Sequence, residues 1–566
     1  MSFFSPTTAR SLPVRTLIGG IYALLILGGI TMVVPFLVMI TGSVEPRAKA
    51  EGINFFPPYL ANKDALWSCY VETKYHGQAS LLRMAWGDSD LAFLEIPSLS
   101  KPSPNPTSVA LWEEFIASRK PDEKLFTLGF LRNNQRMPAF SAFAFRDWLM
   151  EKYGSLPGIN RALETNFQVV SEISPPQIRL DGPALPDTPI VRIFEEFSAS
   201  QSLNRKFAWN VGGYYRANIL PRTAGPDIDT FNQKFGTSYT RFDEVPFPAT
   251  VPEVAAEDWF FFVSRILRPD FVELTPFGEN RRAKRHLSKN EFVRTAAQPD
   301  DLRVISLDVQ FADWAKERGV PNARIPQENL DRAAFAEEGS FWRNQFLTLN
   351  YRVVIDEIFY RSGAIWNTLI LVVLSVAGAL LINPLAAYAL SRYKMRSSYH
   401  ILLFCLATVA FPAEVTMIPV FLQLKEFHLL NTFGALVLPG LANGFSIFLL
   451  KGFFDSLPRE LYEAAEIDGA SEFTTFWNIT MNLSKPILAV IALQTFVVAY
   501  GTFFFALILA PDPKMWTIMV YIYQLQQQVG PPVLYASLII TAIPTFLVFI
   551  TCQNIILRGI VVPSDK

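Results

Sequence analysis

Little in this chain is suited to covalent or metal chemistry. Only three cysteines occur in 566 residues; Cys405 and Cys552 sit within apolar runs and Cys69 alone lies outside one. That excludes an intrachain disulfide framework. The histidines His76, His286, His400 and His428 are scattered, without the His/Cys/carboxylate spacing of a metal site. No Gly-x-x-x-x-Gly-Lys-Ser/Thr loop is present, so no phosphate-binding signature of an ATP-hydrolysing subunit can be read. Charge is sparse too. Asp, Glu, Lys and Arg make up 18% of the chain and the net charge is -1, which predicts no general attraction to nucleic acid.

What the sequence does contain is long charge-free runs. Residues 17–40 follow Arg10 and Arg15. At 1.5 Å per residue, about 24 residues cross a hydrocarbon core of about 30 Å. A cleaved signal peptide would have a shorter core of about 7–15 apolar residues, so a retained first span is predicted. Further runs cover 368–390, 401–424, 433–454, 487–509 and 534–556, making six spans in all. Arg392, Lys394 and Arg396 lie between the second and third spans and Arg558 follows the sixth. The positive-inside rule then places both termini and the polar loop 455–486 in the cytoplasm, and the long segment between spans one and two outside. The expected fold is an α-helical polytopic membrane protein carrying an inserted soluble, mainly α (α+β) domain. Its parts are 1–42 (cytoplasmic N-terminus and first span), 43–361 (extracytoplasmic insertion) and 362–566 (membrane core with spans two to six and the 455–486 loop).

The insertion contains a degenerate repeat. Leu82-Arg83, Trp86-Gly87, Phe93 and Glu95-Ile96-Pro97 align with Ile159-Asn160, Leu163-Glu164, Val170 and Glu172-Ile173, and again with Phe231-Asn232, Phe235-Gly236, Phe242 and Glu244-Val245-Pro246. Trp67, Tyr70, Lys74 and Tyr75 lead into the first copy, and Phe145, Trp148, Lys152 and Tyr153 into the second. Tyr214, Tyr215 and a pattern broken near Pro221 lead into the third. Each unit is expected to be a helix, a second short helix and an extended exit. The wording resembles segments of some bacterial beta-galactosidases, in which a KYG-x-LN-x-x-WGT-like phrase occurs. The recurrent Glu95, Glu172 and Glu244 are expected to be structural caps, because spacing alone cannot set two carboxylates at the separation glycoside hydrolysis needs. The basic run Arg281, Arg282, Lys284, Arg285, His286 reads as a solvated surface.

The loop 455–486 is the longest polar interruption in the last third of the chain. Pro458 suits a first helical position, and Leu457, Leu461, Ala464 and Ala465 then share a face. Gly469 can end that helix and Ser471 can cap the next, on which Phe473, Phe476, Trp477 and Thr480 recur at helical spacing. Glu463, Ala464, Ala465, Asp468, Gly469, Ala470, Ser471 and Ile479 resemble the EAA loop of ABC importer permeases of the carbohydrate, maltose-transporter-like class. Asn350-Tyr351, Trp366-Asn367-Thr368 and the Pro412 to Pro419 phrase extend the resemblance. Met481-Asn482 stand where Leu-Pro is usual, which predicts a less kinked end to the second helix. Tyr500-Gly501-Thr502 replaces a common Trp-Asn-Asp/Glu phrase.

The resemblance implies a permease subunit that is not itself an enzyme and moves a sugar or oligosaccharide by alternating access. It further implies that 463–470 couples the chain to two ATPase subunits that hold ATP-Mg, with a second homologous permease and an extracytoplasmic solute-binding protein as further partners. No cofactor is expected on this chain. Ionisable and polar groups within spans are costly and face a cavity or another helix; Glu414, Asn443, Gln494 and Tyr500 are therefore the candidate pathway residues. A membrane-anchored glycosidase-like enzyme, or a receptor module in the insertion, is the alternative.

Overall fold

A charge-free run that crosses lipid can satisfy its backbone polar groups only by closing helical hydrogen bonds on itself. The computed structural model describes residues 12–46, 55–101, 107–128, 140–176, 178–321, 323–393, 395–409, 412–527 and 529–559. Arg10 and Lys394 lie outside the described residues, as do the side chains of Arg15, Glu414 and Arg558. The chain divides into two units, Met1–Asn350 and Tyr351–Lys566.

The first unit begins with the helix Leu12–Ser43, of which Thr16–Ser43 has membrane length and a mean hydropathy of 2.6. Its end is tied down by Asn350, whose Nδ2 donates to the carbonyls of Ser43 (2.8 Å) and Glu45 (2.9 Å). The rest is helical apart from two antiparallel ribbons among the described residues. Strand β1 (Phe126–Thr127) pairs with β2 (Phe207–Ala208), and β3 (Val272–Leu274) with β4 (Leu302–Val304).

The three repeat copies fold alike. Helices Ala79–Trp86, Leu156–Leu163 and Ile228–Phe235 each end on a left-handed residue, Gly87 (φ 68), Glu164 (φ 54) and Gly236 (φ 65). Each is followed by a single 3-10 turn, at Phe93–Glu95, Val170–Glu172 and Phe242–Glu244. The exits are therefore turns, where an extended segment was expected. Asn160 and Asn232 explain the shared loop. Each accepts from a backbone N–H seven residues on and donates to the same residue's carbonyl: Phe167 for Asn160, Tyr239 for Asn232. Glu172 accepts from the N–H of Gln168 and Glu244 from that of Thr240, so these two carboxylates are spent on capping. The third lead-in breaks into Val211–Tyr214, a π-helical turn at Tyr215–Ile219 and Leu220–Thr223 with Pro221 inside it.

Lys74, at the end of the helix Lys63–Lys74, is buried against the fully buried Asp331 of the helix Gln327–Ile355 at 2.8 Å. Such a pair survives only where the remaining lone pairs are also used. Here Tyr75 Oη (2.6 Å), Trp86 Nε1 (2.8 Å) and Gln327 Nε2 (2.9 Å) all donate to the same carboxylate.

In the second unit, Ala364–Arg392 and the Pro531–Gln553 part of Pro531–Gly559 have membrane length. Two further stretches are bent pairs: Phe433–Gly440 with Gly444–Asp455 (48°), and Glu472–Leu483 with Lys485–Tyr500 (80°). The run 401–424 is covered by Ser398–Val409 and Ala413–Glu426. Among the described residues, three helices are long and apolar enough to cross a membrane, or up to five if each bent pair is one span.

Candidate functional site

The 455–486 loop forms a helix, a glycine turn and a second helix. Arg459–Ile467 starts one residue later than expected, with Pro458 in the capping position (φ -55, ψ 131). It closes with two reversed bonds, Gly469 N–H to Glu466 carbonyl (3.1 Å) and Ala470 N–H to Ala465 carbonyl (2.9 Å). This pattern requires a left-handed residue at its centre, and Gly469 supplies it at φ 76. Ser471 then accepts from the Thr474 N–H and starts the next helix.

Which face is buried differs from the expectation. Ala465 is buried, and Leu457 and Tyr462 pack on the neighbouring core beside it, while Leu461 and Ala464 point out. The inward register is set by Tyr462, whose hydroxyl bonds the Thr480 hydroxyl at 3.0 Å. On the second helix Phe476 and Thr480 are buried, whereas Phe473 (72% exposed) and Trp477 (51%) stack on each other, 6.4 Å apart at 8°. Ile467 (86% exposed), Leu461 and Ala464 are thus bare on the same loop, with Glu463 and Asp468 also exposed. The second helix ends in an 80° bend, with Met481-Asn482 in its last turn. Ser484 (φ -94, ψ 6) makes the corner. Pro486 starts the following helix, where a missing N–H costs nothing.

The loop is anchored to the helix Ala364–Arg392. Tyr388 Oη donates to Glu472 at 2.7 Å, its ring meets Phe476 edge to face at 5.2 Å, and Ser391 donates to Asp455 at 2.7 Å.

Higher in the same unit a cavity of about 130 Å³ is lined by Ser375, Asn383, Asn443, Gln494, Thr495 and Thr502 among others. Two of the four sequence candidates, Asn443 and Gln494, are brought together here. Tyr500 does not line it; it stacks on Phe496 and donates to the Thr541 carbonyl at 2.7 Å. Glu414 is on the helix Ala413–Glu426, and its side chain lies outside the described residues.

Sequence reading missed Asn383. The 48° break leaves backbone groups near 441–443 without helical partners, and lipid offers none. Asn383 serves both sides of the break: its Nδ2 donates to the Leu441 carbonyl (3.2 Å) and its Oδ1 accepts from the Asn443 N–H (2.8 Å). Asn443 Oδ1 in turn caps the next segment through the Ser446 N–H (2.9 Å). An Asn-Pro pair in the middle of an apolar run was the available signal. The closeness of the packing shows at Gly444, where a Cβ would meet the Cys405 carbonyl oxygen at 2.0 Å.

A family model described as the binding-protein-dependent transport system inner membrane component matches residues 382–562. Those limits take in Asn383, the broken segment, the loop and Gln494. Protein LplC of Bacillus subtilis is 31% identical over 266 residues, which are 43% of this chain and 89% of LplC. The chain belongs to this permease family. The sn-glycerol-3-phosphate transport system permease protein UgpE of Yersinia enterocolitica is 30% identical over 208 residues (36% of the permease described here, 73% of UgpE). The diacetylchitobiose uptake system permease protein NgcG of Streptomyces coelicolor is 31% identical over 194 residues (33% and 64%). Among solved structures, a chain of a bacterial ABC transporter involved in alginate import is 25% identical and covers 36% of this permease and 78% of that chain, with a TM-score of 0.33. The permease is a multi-pass membrane subunit of an ABC transporter and not an enzyme. The family match begins at residue 382, beyond the whole of the segment 43–361.

Proposed function

We propose that this permease imports a neutral sugar or oligosaccharide across the bacterial inner membrane by alternating access, and that the 455–486 loop receives the force for it from two separate ATPase subunits holding ATP-Mg. Six spans, cytoplasmic termini and an extracytoplasmic segment 43–361 complete the reading, with charge bias as its support. A second homologous permease and a solute-binding protein are the other partners.

The observation that carries the reading is the exposed apolar face of the loop. Ile467, Phe473 and Trp477 are left bare while Ala465 and Phe476 are buried, and a bare aromatic cluster on a folded polar loop marks a protein interface. Glu463, Ala464, Ala465, Asp468, Gly469 and Ala470 hold that face in shape. The uncharged lining of the small cavity supports a neutral cargo, with Asn443 and Gln494 in the pathway beside the break. Replacing both Phe473 and Trp477 with Asp should abolish co-purification of the ATPase while the permease stays in the membrane. Full recovery of the ATPase with that variant would contradict the reading.

A further inference from the structure

The first unit holds a cavity of about 1050 Å³, the upper end of the volumes that small-molecule sites occupy. Both ribbons of the unit meet there. Phe126 of β1 and Trp209, next after β2, line it, as do Phe271, just before β3, Glu273 within it and Ile305, next after β4. The helix Pro189–Ser200 supplies Glu195 and Glu196, and Leu307–Lys316 supplies Gln310. Strand pairing in an otherwise helical unit thus fixes the walls of one hollow.

The lining has a definite chemistry. Seven carboxylates stand against four cations, so an anionic ligand is disfavoured. Four of the carboxylates are already used in ion pairs: Glu123 with Lys206, Asp187 with Arg192, Glu196 with Lys152 and Asp270 with Arg268. Asp122 caps a turn through the Lys124 N–H. Among the described residues Glu195 has only the electrostatic attraction of Arg268 and Glu273 enters no ion pair, and Lys289 and Gln310 line the same space as donors. Acceptors and donors in one lining, together with the aromatics Trp209 and Phe271, suit a ligand whose groups both donate and accept and whose remaining surface is C–H. Hydroxyls on a sugar ring do both.

We propose that this cavity is a binding site for a neutral di- or oligosaccharide, making the extra unit a sugar-capturing module built into the permease. The assignment stands on the cavity and is independent of how transport is driven.

Titration calorimetry on the full-length permease in lipid nanodiscs tests it, with diacetylchitobiose, cellobiose and maltotriose as neutral probes, oligogalacturonate as an anion and spermidine as a cation. A neutral saccharide should bind, and Glu195→Gln with Glu273→Gln should raise its Kd about tenfold or more, since two charge-assisted bonds are lost. The melting temperature should be unchanged. Absence of binding by all three neutral sugars at millimolar concentration would overturn the proposal, as would preferential binding of spermidine or oligogalacturonate. Binding that survives the paired Glu variant but is lost in Gln494→Ala would also overturn it, while leaving the transport reading standing with the sugar in the membrane cavity.

Discussion

The Tyr388 hydroxyl donates to the Glu472 carboxylate at 2.7 Å, joining the helix Ala364–Arg392 to the second helix of the 455–486 loop. Their rings and chains pack around it, with Tyr388 against Phe476. A push on the second helix of the loop would therefore reach Ala364–Arg392 through this bond and ring contact, beside the Ser391–Asp455 bond at the start of the loop. Tyr388→Phe keeps the ring and deletes the bond, about 1 kcal/mol for a partly exposed charge-assisted contact. Sugar accumulated per ATP hydrolysed should fall several-fold with ATPase binding intact; an unchanged ratio would show that the bond carries no force.

Gly469 holds a conformation, not a tight space: a Cβ there would meet nothing within 4 Å, yet φ is 76. Gly469→Val should cost about 1–2 kcal/mol in the left-handed region and unwind the reversed bonds to Glu466 and Ala465. Gly469→Asn, which tolerates positive φ, should restore most of the transport lost in the Val variant. Equal uptake by the two variants would contradict this.

Asn383→Leu should be strongly damaging to the membrane unit. It orphans the Leu441 carbonyl and the Asn443 N–H together, at about 1–3 kcal/mol each. Asn383→Gln is expected to recover only part of that because the reach differs. Thermal stability in detergent, read by static light scattering, checks both.

In the first unit Asp331 collects four donors. Lys74→Met strands a buried carboxylate and should lower stability by about 3–5 kcal/mol. The doubly substituted Lys74→Met, Asp331→Leu protein should recover part of the loss, because no unpaired charge remains. Denaturant unfolding of the full chain, followed by tryptophan fluorescence, separates the two.

Burial pushes His76 below its ordinary value, its Nε2 facing the Leu128 carbonyl at 2.8 Å and its Nδ1 buried without a partner among the described residues. The unfolded chain takes up a proton near pH 6.5 and the folded chain only below that. The stability is fully present above about pH 6.5 and is lost as pH falls from there toward the lower folded value. Hydrogen exchange across 63–86 should accelerate between pH 7 and 5 beyond its intrinsic trend. His76→Asn, which tolerates the φ of 53 at this position, should remove that acceleration.

The parts of the fold that are local in sequence were legible. Repeat copies read from Asn160, Asn232 and their glutamates became the same loop twice over, and Gly469 and Ser471 turned and capped the loop as their chemistry dictates. The buried face of Arg459–Ile467 was not legible, because apolarity alone does not tell a core face from a face kept for a partner. Tyr462 went inward for a hydroxyl partner 18 residues away, and Leu461 stayed out. Asn383 was invisible for a related reason: the backbone it satisfies lies on another helix, near 441–443. The large cavity of the first unit draws its lining from segments spread over 122–310, a juxtaposition no window of sequence contains.

The central claim is that the loop transmits ATP-driven motion to the membrane helices. It is tested most directly by measuring ATP hydrolysis and radiolabelled sugar accumulation together in proteoliposomes that hold the permease and its partner subunits. Glu463→Lys reverses charge on the exposed side of the loop without touching its core. The account predicts that this variant assembles in the membrane yet loses at least about tenfold in accumulation per ATP, a coupling loss of about 1.4 kcal/mol. Accumulation per ATP equal to that of the unaltered permease would contradict it.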